Sequence, residues 1–72
     1  MGVSYKRLWK ILIDRDMKKK DLMNAAGLSP STISKLSGNE FVSMQVIVKI
    51  CMTLNVEIND IMEIVKPAET AV

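Results

Sequence analysis

Histidine is absent from this sequence, and cysteine occurs once, as Cys51. The first absence removes the commonest general base, the commonest metal ligand and the near-neutral pH switch. The second excludes a disulfide scaffold and any four-cysteine zinc site. A small chain that folds without such staples fits a reducing compartment. Glycine and proline are also scarce, at 3 and 2 residues, which excludes collagen-like and linker-like chains. Long apolar runs are missing. Lys49, Asn55 and Asp60 interrupt the most apolar stretch, so nothing approaches the ~18 residues of a membrane span. Met1-Gly2 would suit myristoylation, but the sixth position is Lys6 rather than Ser or Thr. No charged-then-apolar leader precedes the first helix pattern. The expected location is cytoplasmic.

What remains is ordinary globular material. The chain has 72 residues, 49% of them apolar and 25% charged, which excludes a disordered segment. One domain of this size carries a core that supplies no more than ~3–5 kcal/mol net. Tight helix packing, a second subunit or a ligand would have to add to that. Net charge is +2 but unevenly spread. Residues 1–40 carry eight cations against four anions, and residues 41–72 carry two against four. A basic first half and a mildly acidic second half suggest a polyanionic partner for the first.

Helical spacing dominates the chain. Tyr5, Leu8, Trp9 and Leu12 recur at i, i+3, i+4, i+7, Ile13 widens the stripe, and Ser4 precedes it as an N-cap. This predicts a first helix over about 4–16. Leu22, Met23 and Ala26 face one side of a second helix, 19–26, which starts after Lys18 without a good cap and is stopped by Gly27. Ser29-Pro30 starts a third, 30–37, with Ile33 and Leu36 inward and Gly38-Asn39 ending it. Ser43 opens a fourth, with Ile47, Ile50, Cys51 and Leu54 on its apolar face and Asn55 as its stop. Ile58, Ile61, Met62 and Val65 give a fifth, ended by Pro67. No alternating strand pattern is evident. The expectation is an all-α, five-helix domain over 1–66 with a flexible tail at 67–72.

The informative stretch is 19–38. Two short helices joined by Gly27-Leu28-Ser29 must cross steeply, and small Ala26 permits close approach beside the turn. Core duty falls to Leu22, Ala26, Leu28, Ile33 and Leu36. The outer face of the third helix is left with Pro30, Ser31, Thr32 and Lys35, short polar groups and one long cation. Such a face suits insertion into a groove about 12 Å wide. Ser31 and Thr32 hydroxyls can donate or accept, and Lys35 can reach guanine O6 and N7. Ser29 and Pro30 stand at the helix end nearest such a groove. A glycine turn between helices also occurs in bundles that bind only protein, but the basic half favours nucleic acid.

These residues resemble the helix-turn-helix of the Cro/CI-type (XRE) repressor family. Leu22, Ala26, Gly27, Leu28, Ser29, Ile33 and Leu36 stand at that family's spacing. The likeness spans about 5–65, including Val42-Ser43, Leu54-Asn55-Val56 and Asp60-Ile61-Met62. It is strongest to small regulators of prophages and mobile elements, VanU-type regulators of vancomycin-resistance clusters among them. The resemblance implies a lambda-repressor-like domain and a transcriptional regulator of double-stranded DNA without enzymatic activity. It implies that the third helix reads the major groove through Ser29, Pro30, Ser31, Thr32 and Lys35. It further implies that Lys18, Lys19 and Lys20 meet phosphate at the start of the second helix, with Asn39 and the 38–42 loop as a second backbone contact. Two departures stand out. Met23 replaces a usual alanine where the second helix meets the third, so it must bend aside or open the angle. Lys19 replaces the glutamine that opens the second helix, so the bracing between two glutamines is lost.

Other features read more plainly. Trp9 and Tyr5 share the apolar face of Leu8 and Leu12, which favours packing over base stacking. Cys51 is placed among Ile47 and Leu54 as a small core residue. Glu57, Asp60 and Glu63 form an acidic row on the fifth helix, better explained by its positive N-terminus than by a metal. Asp14 and Asp16 diverge on a helix and cannot pair catalytically. With no nucleophile–base pair or phosphate loop, neither a cofactor nor a metal is expected. Met44, Met52 and Met62, with Val46, Val48 and Val65, exceed what one buried stripe needs. That surplus on the fourth and fifth helices is a patch rarely left wet, and the resemblance, in which the surface around the fifth helix often makes the dimer, implies a homodimer. A protein-interaction module such as an antitoxin, binding through this Met-rich face, is the alternative.

Overall fold

Local stop signals cut the chain into short pieces, and a nonlocal pairing joins its ends. The computed structural model describes residues 2–66. In chain order the elements are β1 (Gly2–Ser4), α1 (Lys6–Asp14), α2 (Lys19–Ala26), α3 (Pro30–Ser37), α4 (Met44–Leu54), α5 (Ile58–Ile61) and β2 (Glu63–Val65). The class is all-α with five helices, as the periodicity implies. The expected tail at 67–72 lies outside the described residues.

α2, α3 and α4 have the bounds their caps dictate. Gly27 sits in the left-handed region, φ 68°, where an L-residue is strained. Its N–H and that of Leu28 both return to the Met23 carbonyl, a Schellman closure with Leu28 packed beneath. Ser29 Oγ accepts from the Thr32 N–H at 3.2 Å, and Pro30 occupies the first helical position. Ser43 Oγ accepts from the Val46 N–H, and left-handed Asn55 ends α4. Asp21 supplies what Lys18 cannot. Its carboxylate accepts from the Lys18 N–H at 2.9 Å, closing the start of α2 from three residues ahead.

The two ends of the chain depart from helical expectation. β1 and β2 pair antiparallel, Val3 opposite Ile64, in a two-stranded sheet. Three residues are too few for alternation to show in sequence. Extended Ser4 pairs with Glu63 and lies one residue before the N-cap position, from where its Oγ accepts from the Lys6 N–H at 3.4 Å. Tyr5 takes the N-cap position without a side-chain cap, and its N–H donates instead to Asn39 Oδ1. α1 therefore runs over 6–14 rather than 4–16. α5 stops at Ile61, and Met62 is already extended, φ −148°. The β-branched pair Ile64-Val65 favours a strand once β1 offers an edge. The acidic row is broken accordingly. Asp60 accepts from the Glu57 N–H at the start of α5, while Glu63 lies on β2 and pairs with Arg7 at 3.3 Å.

Eleven residues form the buried core: Val3, Tyr5, Leu8, Leu12, Leu22, Leu28, Leu36, Ile47, Ile50, Leu54 and Ile61. Every element contributes except β2. Trp9, Met23, Ala26, Ile33 and Cys51 pack against this core while half-buried. Ile13 does not widen the α1 stripe but stands 76% exposed, because the helix ends one residue later and none of the described residues covers that side. Arg15 ties the end of α1 to α4, donating to the Leu54 carbonyl at 2.7 Å.

Candidate nucleic-acid interface

The α2–turn–α3 unit is anchored on one side only. Leu22, Leu28 and Leu36 are buried, and Ile33 is half-buried against them. With that stripe inward, Ser31, Ser34 and Lys35 stand exposed on the opposite side of α3, and Thr32 is half-exposed. Met23 is half-buried and packs against the core.

At the N-terminus of α3 three hydroxyls meet. Ser29 Oγ lies 3.0 Å from Ser31 Oγ and 2.9 Å from Thr32 Oγ1, besides accepting from the Thr32 N–H. The capping hydroxyl thereby orients its two neighbours at the helix end that carries positive partial charge. Pro30 is exposed beside them. Lys35, one turn on, is exposed and makes no hydrogen bond or ion pair among the described residues. A hydroxyl cluster next to a free ammonium can donate to an acceptor edge or an anion, and it can also accept.

Lys18, Lys19 and Lys20 occupy the cap and first turn of α2, all exposed. They differ in their engagement. Lys19 Nζ donates to Ser37 Oγ at 3.0 Å and lies 4.4 Å from the centre of the Trp9 ring. The ammonium groups of Lys18 and Lys20 have no partner among the described residues. From the first position of α2, Lys19 thus reaches the last residue of α3.

The loop between α3 and α4 is fixed by a residue that periodicity places only in the core. Tyr5 is 1% exposed. Its hydroxyl donates to the Glu40 carbonyl at 2.8 Å, while its N–H donates to Asn39 Oδ1 at 3.1 Å. Burial pushes the phenol above its ordinary pKa, and a hydrogen bond with the Val42 backbone offsets part of this. Asn39 is left-handed, φ 55°, and exposed; its side-chain carbonyl accepts from the Tyr5 N–H, and its side-chain amide N–H groups have no partner among the described residues. The signal for Tyr5 was its phenol: a buried tyrosine requires a partner for its O–H. Cys51 contributes nothing here. Burial first, then the charges of Glu57 and Asp60, push its thiol upward, which disfavours a reactive thiolate. No group of residues suited to a metal occurs among the described residues, and none of their helices is long and apolar enough to cross a membrane.

Residues 7–67 match the Cro/C1-type helix-turn-helix DNA-binding domain. Among solved structures, the chain is similar to the crystal structure of transcriptional regulator VanUg, Form II, at 52% identity and a TM-score of 0.88. That likeness covers 92% of this chain and 88% of the other. Among curated proteins none matches.

Proposed function

This chain belongs to the Cro/C1-type helix-turn-helix DNA-binding family, and from that premise we propose that it is a sequence-specific, non-enzymatic transcriptional regulator acting on double-stranded DNA in the cytoplasm. The domain that does this is 1–66. The observation that carries the reading is the outer face of α3, where the Ser29–Ser31–Thr32 hydroxyl cluster and Lys35, without a partner among the described residues, stand free of core duty. α3 enters the major groove. Ser29, Pro30, Ser31, Thr32 and Lys35 face base edges. Lys18, Lys19 and Lys20, with the Asn39 amide across the interface, meet flanking phosphates. Specificity and register are thereby divided between two sets of residues. In this reading the chain works as a homodimer. Met44, Ile58 and Ile64 are exposed around a shallow groove shared with Met62, an apolar face that a second copy would cover.

Lys35 tests the reading. A lysine on guanine O6 and N7 contributes ~1–3 kcal/mol of discrimination. Lys35→Ala is therefore expected to relax preference at one position per half-site more than it lowers overall affinity, measured over a set of operator variants. An equal loss on every variant would make Lys35 a backbone clamp and move base reading to Ser31 and Thr32.

A further inference from the structure

Of the three lysines that open α2, Lys19 alone has its ammonium engaged within the described residues. Its two partners lie on different helices. Trp9 belongs to α1 and is half-buried, and Ser37 is the last residue of α3. One ammonium thus ties α1, α2 and α3 together. An ammonium carries three N–H donors. Ser37 Oγ takes one at 3.0 Å, and the Trp9 face attracts the cation from 4.4 Å. A third donor is left on this exposed residue, which stands between Lys18 and Lys20.

The geometry points to a relay in which Trp9 and Ser37 are positioning residues that hold Lys19 ready for a DNA phosphate. This deepens the DNA-binding reading above and rests on it. A free lysine loses much side-chain entropy when it is fixed on a phosphate, whereas one already held between a ring and a hydroxyl loses less. The same bond runs to the end of α3, so a phosphate on Lys19 also fixes how the recognition helix is tilted. A phosphate oxygen competes with the indole face for the ammonium, so docking must alter the surroundings of Trp9.

Trp9 is the single tryptophan, so its emission reports this site alone. The full chain is titrated into a dye-labelled random-sequence duplex at low salt. Anisotropy reads binding, and Trp9 emission reads the relay. The wild-type emission is expected to change in step with anisotropy. Lys19→Met should abolish that change while binding through the other lysines persists, and the magnitude of the log K against log salt slope should fall by about 1. Ser37→Ala removes no charge and lies on the exposed surface, so it should keep the fold and the slope yet weaken binding about two- to fivefold, the scale of one modest hydrogen bond. Trp9→Leu should behave like Ser37→Ala, and Trp9→Phe, which retains a ring, should bind like wild type. Binding without a change in Trp9 emission overturns the relay and leaves the DNA-binding reading standing. Ser37→Ala and Trp9→Leu binding as wild type would do the same. An emission change that survives Lys19→Met means Trp9 touches DNA itself, which also overturns the relay. No anisotropy rise for the wild type overturns the DNA-binding reading and the relay with it.

Discussion

An exposed lysine can grip a phosphate or read a base, and salt tells the two apart. Lys18 and Lys20 stand exposed at the start of α2, without partners among the described residues. Each replacement by alanine is expected to weaken specific and random duplex alike, with the salt slope reduced by about 1 for each lysine that meets a phosphate. Unchanged slopes for both would assign them to solvent. Tyr5 makes a different kind of prediction, because both its ends are spent on the loop that carries Asn39. Tyr5→Phe removes one hydrogen bond and should cost ~0.5–1.5 kcal/mol at neutral pH, read from chemical denaturation. Burial raises the phenol pKa in the folded chain. Above the ordinary tyrosine value of about 10, the unfolded chain has therefore released a proton that the folded chain still holds. That stabilisation is complete below the ordinary value and is lost as pH rises toward the folded one. Thermal melts are expected to show a steeper alkaline loss in wild type than in Tyr5→Phe. Equal losses would contradict the assignment. Tyr5 also shows where reading by residue type falls short: its spacing placed it in the core, but its hydrogen-bond partners lie 34 and 35 positions away.

At the scale of elements, legibility followed the range of the interactions that set each boundary. α2, α3 and the limits of α4 rest on caps within a few residues, namely Gly27, Ser29-Pro30, Ser43 and Asn55, and a sequence displays these directly. β2 rests on β1 at the other end of the chain, and the spacing of Ile58, Ile61, Met62 and Val65 fits a helix as well as a turn followed by a strand. The candidate site was legible for the same reason as α3, since its polar face is the complement of a locally defined buried stripe. The Lys19 contacts were not, because a long side chain reaching two other helices leaves no periodic trace. The turn itself can be tested. Gly27→Ala forces an L-residue into the left-handed region and is expected to cost ~1–2 kcal/mol. Ser29→Ala removes the cap of α3 and should cost ~0.5–2 kcal/mol. Both are read from urea unfolding, and DNA affinity should fall with the order of α3. A neutral Ser29→Ala would mean that Pro30 alone suffices to start the helix.

The whole molecule presents two dissimilar surfaces. One is polar and basic around α2 and α3, and the other exposes Met44, Ile58 and Ile64. In the proposed homodimer a second copy covers the apolar surface, and α3 is expected to stay exposed in both copies. Ile64→Asp is expected to shift sedimentation toward monomer without lowering helix content, since Ile64 is 64% exposed in the single chain. If that dimer is twofold, its α3 helices are expected about one DNA turn apart, ~34–36 Å. Genomic footprinting of the native protein tests the central claim most directly. The account predicts discrete protected sites built as inverted repeats, with half-site centres about one helical turn apart. Uniform, sequence-independent protection, or none, would contradict it.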